Sequence, residues 1–187
     1  MSNQNIRLIN QIKEIYDYFS SIKVFSKLIP EVRTNISGAL PNADSKSEIA
    51  AIEGRITIIG GFPKACGDIK FGVSDHTARL LLTAQQLDST IHFVMNLKYD
   101  YNLIQKLQKS TNLKIYEINR EQQPKNIKEK EDSTMQWLIK KCFEEIGKIP
   151  DIIWDKGAVG KEPILRLFSE DSYEMISKLK IILKFID

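Results

Sequence analysis

The segment Asp155-Lys156-Gly157-Ala158-Val159-Gly160-Lys161-Glu162-Pro163 carries the most unusual local chemistry in the chain. Its glycines let the backbone take left-handed angles and turn N–H groups outward, and Lys161 adds a point charge, so phosphate oxygens could be held here. It is not a Walker loop, because Glu162 stands where a hydroxyl is required and the stretch from Ala158 to Gly160 is too short. Alternatively, Asp155 and Glu162 could bind a hard cation such as Mg²⁺ through carboxylate oxygens beside a phosphate. A tight turn with a surface Lys–Glu pair has the same composition, and composition alone leaves these readings open.

A second concentration is Gly72-Val73-Ser74-Asp75-His76-Thr77-Ala78-Arg79, where a strand is predicted to pass into a helix. Exposed N–H groups at a helix start attract anions, and His76 and Arg79, three residues apart, share a face. Such a position favours the neutral imidazole, which suits His76 to donating a hydrogen bond or shuttling a proton; a structural histidine would read the same way. Arg55 follows Glu53-Gly54 at the head of an apolar strand, where a guanidinium is costly to bury alone. It either pairs with a carboxylate such as Glu53 or points into a site. His92 precedes the apolar Phe93-Val94-Met95 and reads as structural. Two histidines and the separated Cys66 and Cys142 give no zinc spacing, and neither Gly-x-Ser-x-Gly nor Gly-x-Gly-x-x-Gly occurs.

These groups need elements to hold them. From Ile6 to Leu28 apolar residues recur every three or four positions, which predicts a helix that Pro30 stops. A lone helix is too little for a helix-turn-helix DNA reader. Extended structure is expected around 35–40, then a loop at Pro41-Asn42-Ala43-Asp44. A strand over Arg55–Ile59 closes at Gly60-Gly61 and Pro63, and another covers Asp68–Val73. Ser74-Asp75 offers an N-cap to a helix carrying Leu80, Leu81, Leu82 and Leu87, with His76 in its first turn. A strand over Ile91–Leu97, a helix over Tyr101–Lys109 and a strand over Leu113–Ile118 continue an alternation that argues for an α/β sheet. The polar run Glu121–Asp132 reads as a solvated loop or short surface helix. Ser133 or Thr134 caps a helix through Trp137 to Ile146 that Gly147 ends. A strand over 151–154, the glycine-rich turn, a strand over Pro163–Phe168 and a helix over Ser172–Phe185 complete the chain.

A chain of 187 residues, 42% hydrophobic and 27% charged, can enclose one substantial core. A net charge of +3 lacks the basic excess that a nucleic-acid backbone selects for. Apolar runs such as 78–84 fall well short of the roughly 20 residues a bilayer requires. The polar start Met1-Ser2-Asn3-Gln4-Asn5 is no signal peptide, and the scattered cysteines suit reduced thiols, so the expected location is the cytoplasm.

Several blocks, in order, resemble the ThiN domain: Leu28-Ile29-Pro30-Glu31-Val32-Arg33-Thr34-Asn35-Ile36, Ala39-Leu40-Pro41-Asn42-Ala43, Glu53-Gly54-Arg55, Phe71-Gly72-Val73-Ser74-Asp75-His76-Thr77-Ala78-Arg79, Met95-Asn96-Leu97-Lys98-Tyr99, Pro150–Asp155 and Gly160–Pro163. The resemblance covers about residues 24–186. It divides the chain into an N-terminal amphipathic helix, 1–23, and a ThiN-like domain, 24–187, within a single globular unit. It implies an α/β fold, a three-layer α/β/α domain with a mixed, largely antiparallel sheet similar to class II aldolases. The family's enzymes make thiamine phosphate, either alone or behind a hydroxymethylpyrimidine-phosphate kinase domain, of which this sequence shows no part. A related branch adds a helix-turn-helix and uses the domain as a thiamine-phosphate sensor.

What the resemblance implies for the site follows residue by residue. The catalytic branch is associated with an arginine and a histidine that match Arg55 and His76. Beyond those two, the residues' own chemistry sets the expectations: Lys161 joins Arg55 on phosphate oxygens, Asn35, Asn42, Ser74, Arg79 and Asn96 are further candidates for polar contacts, and Asp155 or Glu162 is expected to hold a Mg²⁺ cofactor. The implied partners are a pyrimidine diphosphate and a thiazole phosphate, with neither nucleic acid nor membrane. A homodimer is expected, with the N-terminal helix docking on the second subunit.

Overall fold

The computed structural model describes residues 2–129 and 133–186. Along the chain come α1 (Asn3–Ser20), β1 (Ile36–Ala39), β2 (Ile49–Ile52), β3 (Ile56–Ile59), β4 (Phe62–Ala65), β5 (Ile69–Phe71), α2 (His76–Leu87), β6 (Phe93–Lys98), α3 (Tyr101–Ser110), β7 (Ile115–Glu117), α4 (Lys125–Glu129), α5 (Thr134–Ile146), β8 (Ile152–Asp155), β9 (Ile164–Ser169) and α6 (Ser172–Leu183). Seven strands form one sheet in the order β5-β2-β1-β6-β9-β8-β7, and β3 and β4 form a separate hairpin. Every neighbouring pair in the large sheet is antiparallel except β7 and β8. That pair is parallel because a crossover carrying α4 and α5 separates its strands.

Strand alternation divides the core into two layers. Phe93, Met95, Leu97, Leu165 and Leu167 face α1, α3 and α6. Val94, Ile153 and Phe168 face α2 and α5. By the same period Asn96, Asp155 and Arg166 lie on the α2 and α5 face. The register pairs Asn96 with Arg166 and Asp155 with Ile164, so all three sit at one end of the sheet. The expected three-layer α/β/α architecture with a largely antiparallel sheet is what the chain adopts.

The N-terminal helix is shorter than its apolar period suggests. It ends at Ser20, and a separate 3₁₀ turn covers Lys23–Leu28. Continued as a helix, Phe25 would lie about 9 Å along the axis from Phe19 and on another face. The break stacks the two rings instead, with centroids 4.0 Å apart. The stripe that α1 buries is Leu8, Ile12, Ile15 and Phe19, while Ile6 is exposed. The stripe packs on the chain's own sheet, chiefly across β1 and β2 and beside α6.

Two strands depart from expectation. Pro63 does not close β3 but pairs with Ile58 inside β4, where a two-stranded hairpin leaves an edge that tolerates the missing N–H. β2, Ile49-Ala50-Ala51-Ile52, was not foreseen, since it is buried at every position and so shows no alternation, and alanine has weak strand preference. Of the polar run after Glu121, the described part folds as a 3₁₀ turn (Arg120–Gln122) and the short α4; residues 130–132 lie outside the described residues.

Candidate active site

Towards one end of the α2 and α5 face the sheet changes from apolar to polar, and a cavity of about 350 Å³ opens there. Asn35, Asn96 and Arg166 approach from the strands; Ser74, His76 and Thr77 from the start of α2; Thr134 and Met135 from the start of α5. Arg55 and Val32 close one side, Arg120 another, and Gly160, Lys161 and Glu162 bring the glycine-rich turn over it. The volume falls within the range of small-molecule sites. Arg55 and His76, 21 positions apart in sequence, thus share one cavity.

Arg55 arrives with strain. After the turn in which its N–H donates to the Ile52 carbonyl, it adopts φ 70°, a left-handed angle that residues other than glycine rarely take. Arg33 does the same at φ 67°. The two turns brace each other: Arg55 Nη1 donates to the Val32 carbonyl at 2.5 Å, and Arg33 Nη1 to the Gly54 carbonyl at 3.4 Å. A neighbouring cavity of about 430 Å³ shares Val32, Asn35, Arg55 and Ser74 with the first, so Arg55 stands between them.

α2 begins without the expected side-chain cap. Asp75 occupies the N-cap position, yet its carboxylate is engaged by Lys46 at 2.6 Å and by Arg79 and makes no cap bond to the helix. Ser74 bonds Thr77 at 2.5 Å and Thr77 bonds Ser37 at 2.6 Å, which ties the helix start to β1. An uncapped amino end with His76 as its first residue is suited to an anion. α5 starts in the same way: Ser133 makes no cap bond and donates its hydroxyl to the Ile127 carbonyl instead.

Beneath the cavity lies a buried ion cluster. Asp155 is fully buried and accepts from Arg166 Nη1 at 2.7 Å and from the Gly157 N–H at 2.7 Å, with Arg120 Nη1 at 3.5 Å. Arg120 Nε also donates to Gln123, whose amide donates to Thr134. Burial pulls the Arg120 guanidinium below its ordinary value, Asp155 works against that, and Arg166 adds to it by repulsion. It remains charged at any working pH.

The structure gathers Arg55, His76, Asn35, Ser74, Asn96 and Lys161 around the cavity. Asn35 and Asn96 are partly committed there: the Asn35 amide bridges Ile36 and Ile52, and Asn96 joins the Asn35 N–H to the Arg33 carbonyl. Arg79 is turned to Asp75 and does not line the cavity. Asn42 lies past the opposite end of β1, an exposed turn residue at φ 57°. His92, which reads as structural from sequence, bonds Gln85 at 3.0 Å.

The carboxylates expected to hold Mg²⁺ do not fit that role. Asp155 spends its oxygens on two guanidiniums and an amide, and adjacent cations would repel a divalent ion. Glu162 accepts from the Glu31 and Val32 N–H groups at 3.0 and 3.2 Å, fastening the glycine-rich turn to the 30–33 turn. No group of three or more metal-binding side chains occurs among the described residues. Arg120 and Arg166 were not foreseen. Arg120 stands just ahead of the polar run Glu121–Asp132, which reads as surface; Arg166 carried a signal, being the one charged residue in the apolar stretch Ile164-Leu165-Arg166-Leu167-Phe168.

Fold and site together define an α/β/α protein with a largely antiparallel sheet and a cavity lined by several cationic side chains. An aldolase II superfamily protein from Pseudomonas syringae shares the fold at TM-score 0.55 and 10% identity, covering 97% of this chain and 75% of its own. A solved C-terminal domain of a phosphomethylpyrimidine kinase superposes at TM-score 0.87 with 33% identity, over 95% of this chain and 99% of that one. The chain belongs to the thiamine-phosphate synthase ThiN family, whose model matches residues 11–181. It is 37% identical to the bifunctional thiamine biosynthesis protein ThiDN of Methanocaldococcus jannaschii over 97% of this chain, which spans 43% of that relative's length. It is 29% identical to the thiamine-phosphate synthase ThiN of Methanothermobacter thermautotrophicus, over 95% of this chain and 93% of that protein. None of the described helices is long and apolar enough to cross a membrane.

Proposed function

We propose that this chain condenses 4-amino-2-methyl-5-hydroxymethylpyrimidine pyrophosphate with hydroxyethylthiazole phosphate, giving thiamine phosphate and pyrophosphate. The observation that carries this reading is the convergence of Arg55 and His76 on one cavity with the uncapped start of α2. The pyrimidine amino group feeds electron density towards the methylene carbon. Its bond to the diphosphate oxygen breaks, that oxygen keeps the electron pair, and the thiazole nitrogen lone pair forms the new C–N bond. Arg55, Lys161 and the α2 amides meet the charge on the departing diphosphate, and His76 donates a hydrogen bond or proton to it. Holding the two rings in line supplies the rest.

No Mg²⁺ ligand is assigned to this chain in that scheme, because Asp155 and Glu162 are otherwise engaged. The exposed thiol of Cys66 and the buried one of Cys142 suit a reducing compartment, the cytoplasm.

Incubating the purified chain with both phosphorylated precursors tests the reading. Formation of thiamine phosphate and pyrophosphate in equal amounts is expected. Tight binding of thiamine phosphate without turnover of the precursors would instead identify a sensor.

A further inference from the structure

The synthase reaction brings two anionic groups into one site, a diphosphate that leaves and a monoester that does not react. The cavity carries two sets of cations that differ in burial. His76 and Lys161 are exposed and Arg55 is half-buried, whereas Arg120 and Arg166 are 8% and 4% exposed. Among the described residues, Arg55, Arg120, Lys161 and Arg166 face it against a single wall carboxylate, Glu162, with Asp155 beneath. Among the described residues, two guanidiniums are held by one aspartate, which leaves a net positive charge out of water that is costly unless an anion arrives.

The donors for that anion are identifiable. Among the described residues Arg166 bonds only through Nη1, to Asp155 and the Ile164 carbonyl. Arg120 bonds only through Nε and Nη1, to Gln123 and Asp155. The Nη2 amine of each therefore has no bond to the described protein, while both side chains line the cavity. The first amides of α5 adjoin them at Thr134, and the side chain of Ser133 at the N-cap position does not cap them.

Resting on the synthase reading above, we propose that Arg120, Arg166 and the amino end of α5 form a phosphate-monoester subsite that seats the phosphate of the thiazole. Arg55, His76 and Lys161 then serve the diphosphate alone. The division follows from mobility. A departing group needs a way to water and contacts that let go, which exposed His76 and Lys161 provide. An anchoring group is better held by forks that Asp155 and Gln123 have already fixed, since little side-chain freedom is lost on binding.

Arg120→Gln leaves Asp155 paired with Arg166, and Arg120→Lys keeps the charge without the fork. In steady-state assays Arg120→Gln should raise the KM for thiazole phosphate about 10- to 100-fold, the worth of a charged hydrogen bond, with the pyrimidine KM within about twofold. Arg120→Lys should fall between it and the wild type. A rise in the pyrimidine KM alone, or an equal rise in both, overturns the assignment. A second arm needs no turnover: inorganic phosphate should raise the Tm of an Arg55→Ala chain, and the effect should vanish in Arg55→Ala/Arg120→Gln. Stabilisation that survives the second change overturns the subsite. If that stabilisation behaves as expected while the wild type never forms thiamine phosphate, the synthase reading fails and an anion subsite at Arg120 stands.

Discussion

Arg55 is asked to do two things that conflict, to hold a left-handed backbone angle and to present a guanidinium to the cavity. Arg55→Gly separates them. Relief of roughly 1 kcal/mol of backbone strain offsets the loss of one hydrogen bond worth about the same, so urea unfolding should change little. Turnover should drop by about 10²–10³, the range for removing a donor aimed at developing charge, and His76→Ala should match it. Near-full activity in either variant would remove that residue from the mechanism. Asp155→Asn makes the opposite forecast. Breaking a buried ion pair from one side costs about 3–5 kcal/mol, so the variant should unfold at much lower denaturant, while the Mg²⁺ concentration dependence of any residual activity stays as in the wild type. A shifted metal requirement would restore Asp155 as a ligand. Arg55, His76 and Lys161 were legible because each stands beside glycine or at a helix start, positions that sequence marks. Arg79 misled for a physical reason: the helical spacing that gives it a face shared with His76 also sets it four residues from Asp75, which claims it.

At the scale of elements, α1 and β1 meet at Gly38. A Cβ there would lie 2.8 Å from Leu8 Cδ1 and 2.8 Å from Phe93 Cε1, so the absence of a side chain sets how closely the helix approaches the sheet. Gly38→Ala should cost about 1–3 kcal/mol by overpacking. Combining it with Leu8→Ala should give less than the sum of the two single losses, a coupling read from urea midpoints of the double-mutant cycle. Additive losses would show that α1 does not bear on β1 at this point. Helices were readable wherever one face was apolar and a stop residue followed, as at Gly147, which ends α5 at φ 71°. What sequence could not convey was the pairing of remote strands: β1 lies between β2 and β6, and nothing local to Ile36–Ala39 specifies either partner.

Across the whole molecule, burial keeps ionisable apolar groups protonated. It pushes the Cys142 thiol up to about 12 from an ordinary 9.0, and raises Tyr18 and Tyr99 as well. Below about pH 9 the folded and unfolded chains both hold the Cys142 proton, so its contribution is intact. From there to about pH 12 the unfolded thiol ionises and the folded one does not, so stability falls as pH rises. Urea midpoints between pH 8 and 10 should decline in the wild type and decline less in Cys142→Ala; parallel slopes would contradict this. Native alkylation should modify exposed Cys66 and spare Cys142.

The strand order has a further effect on how the protein is made. β6 is bordered by β1 and β9, and β9 also supplies Arg166 to the cavity floor. A nascent chain halted before residue 164 would therefore have an open seam in the middle of its sheet and no floor to its cavity. Closure of the sheet and completion of the site become one late event in synthesis, and a shortened product would lose both at once.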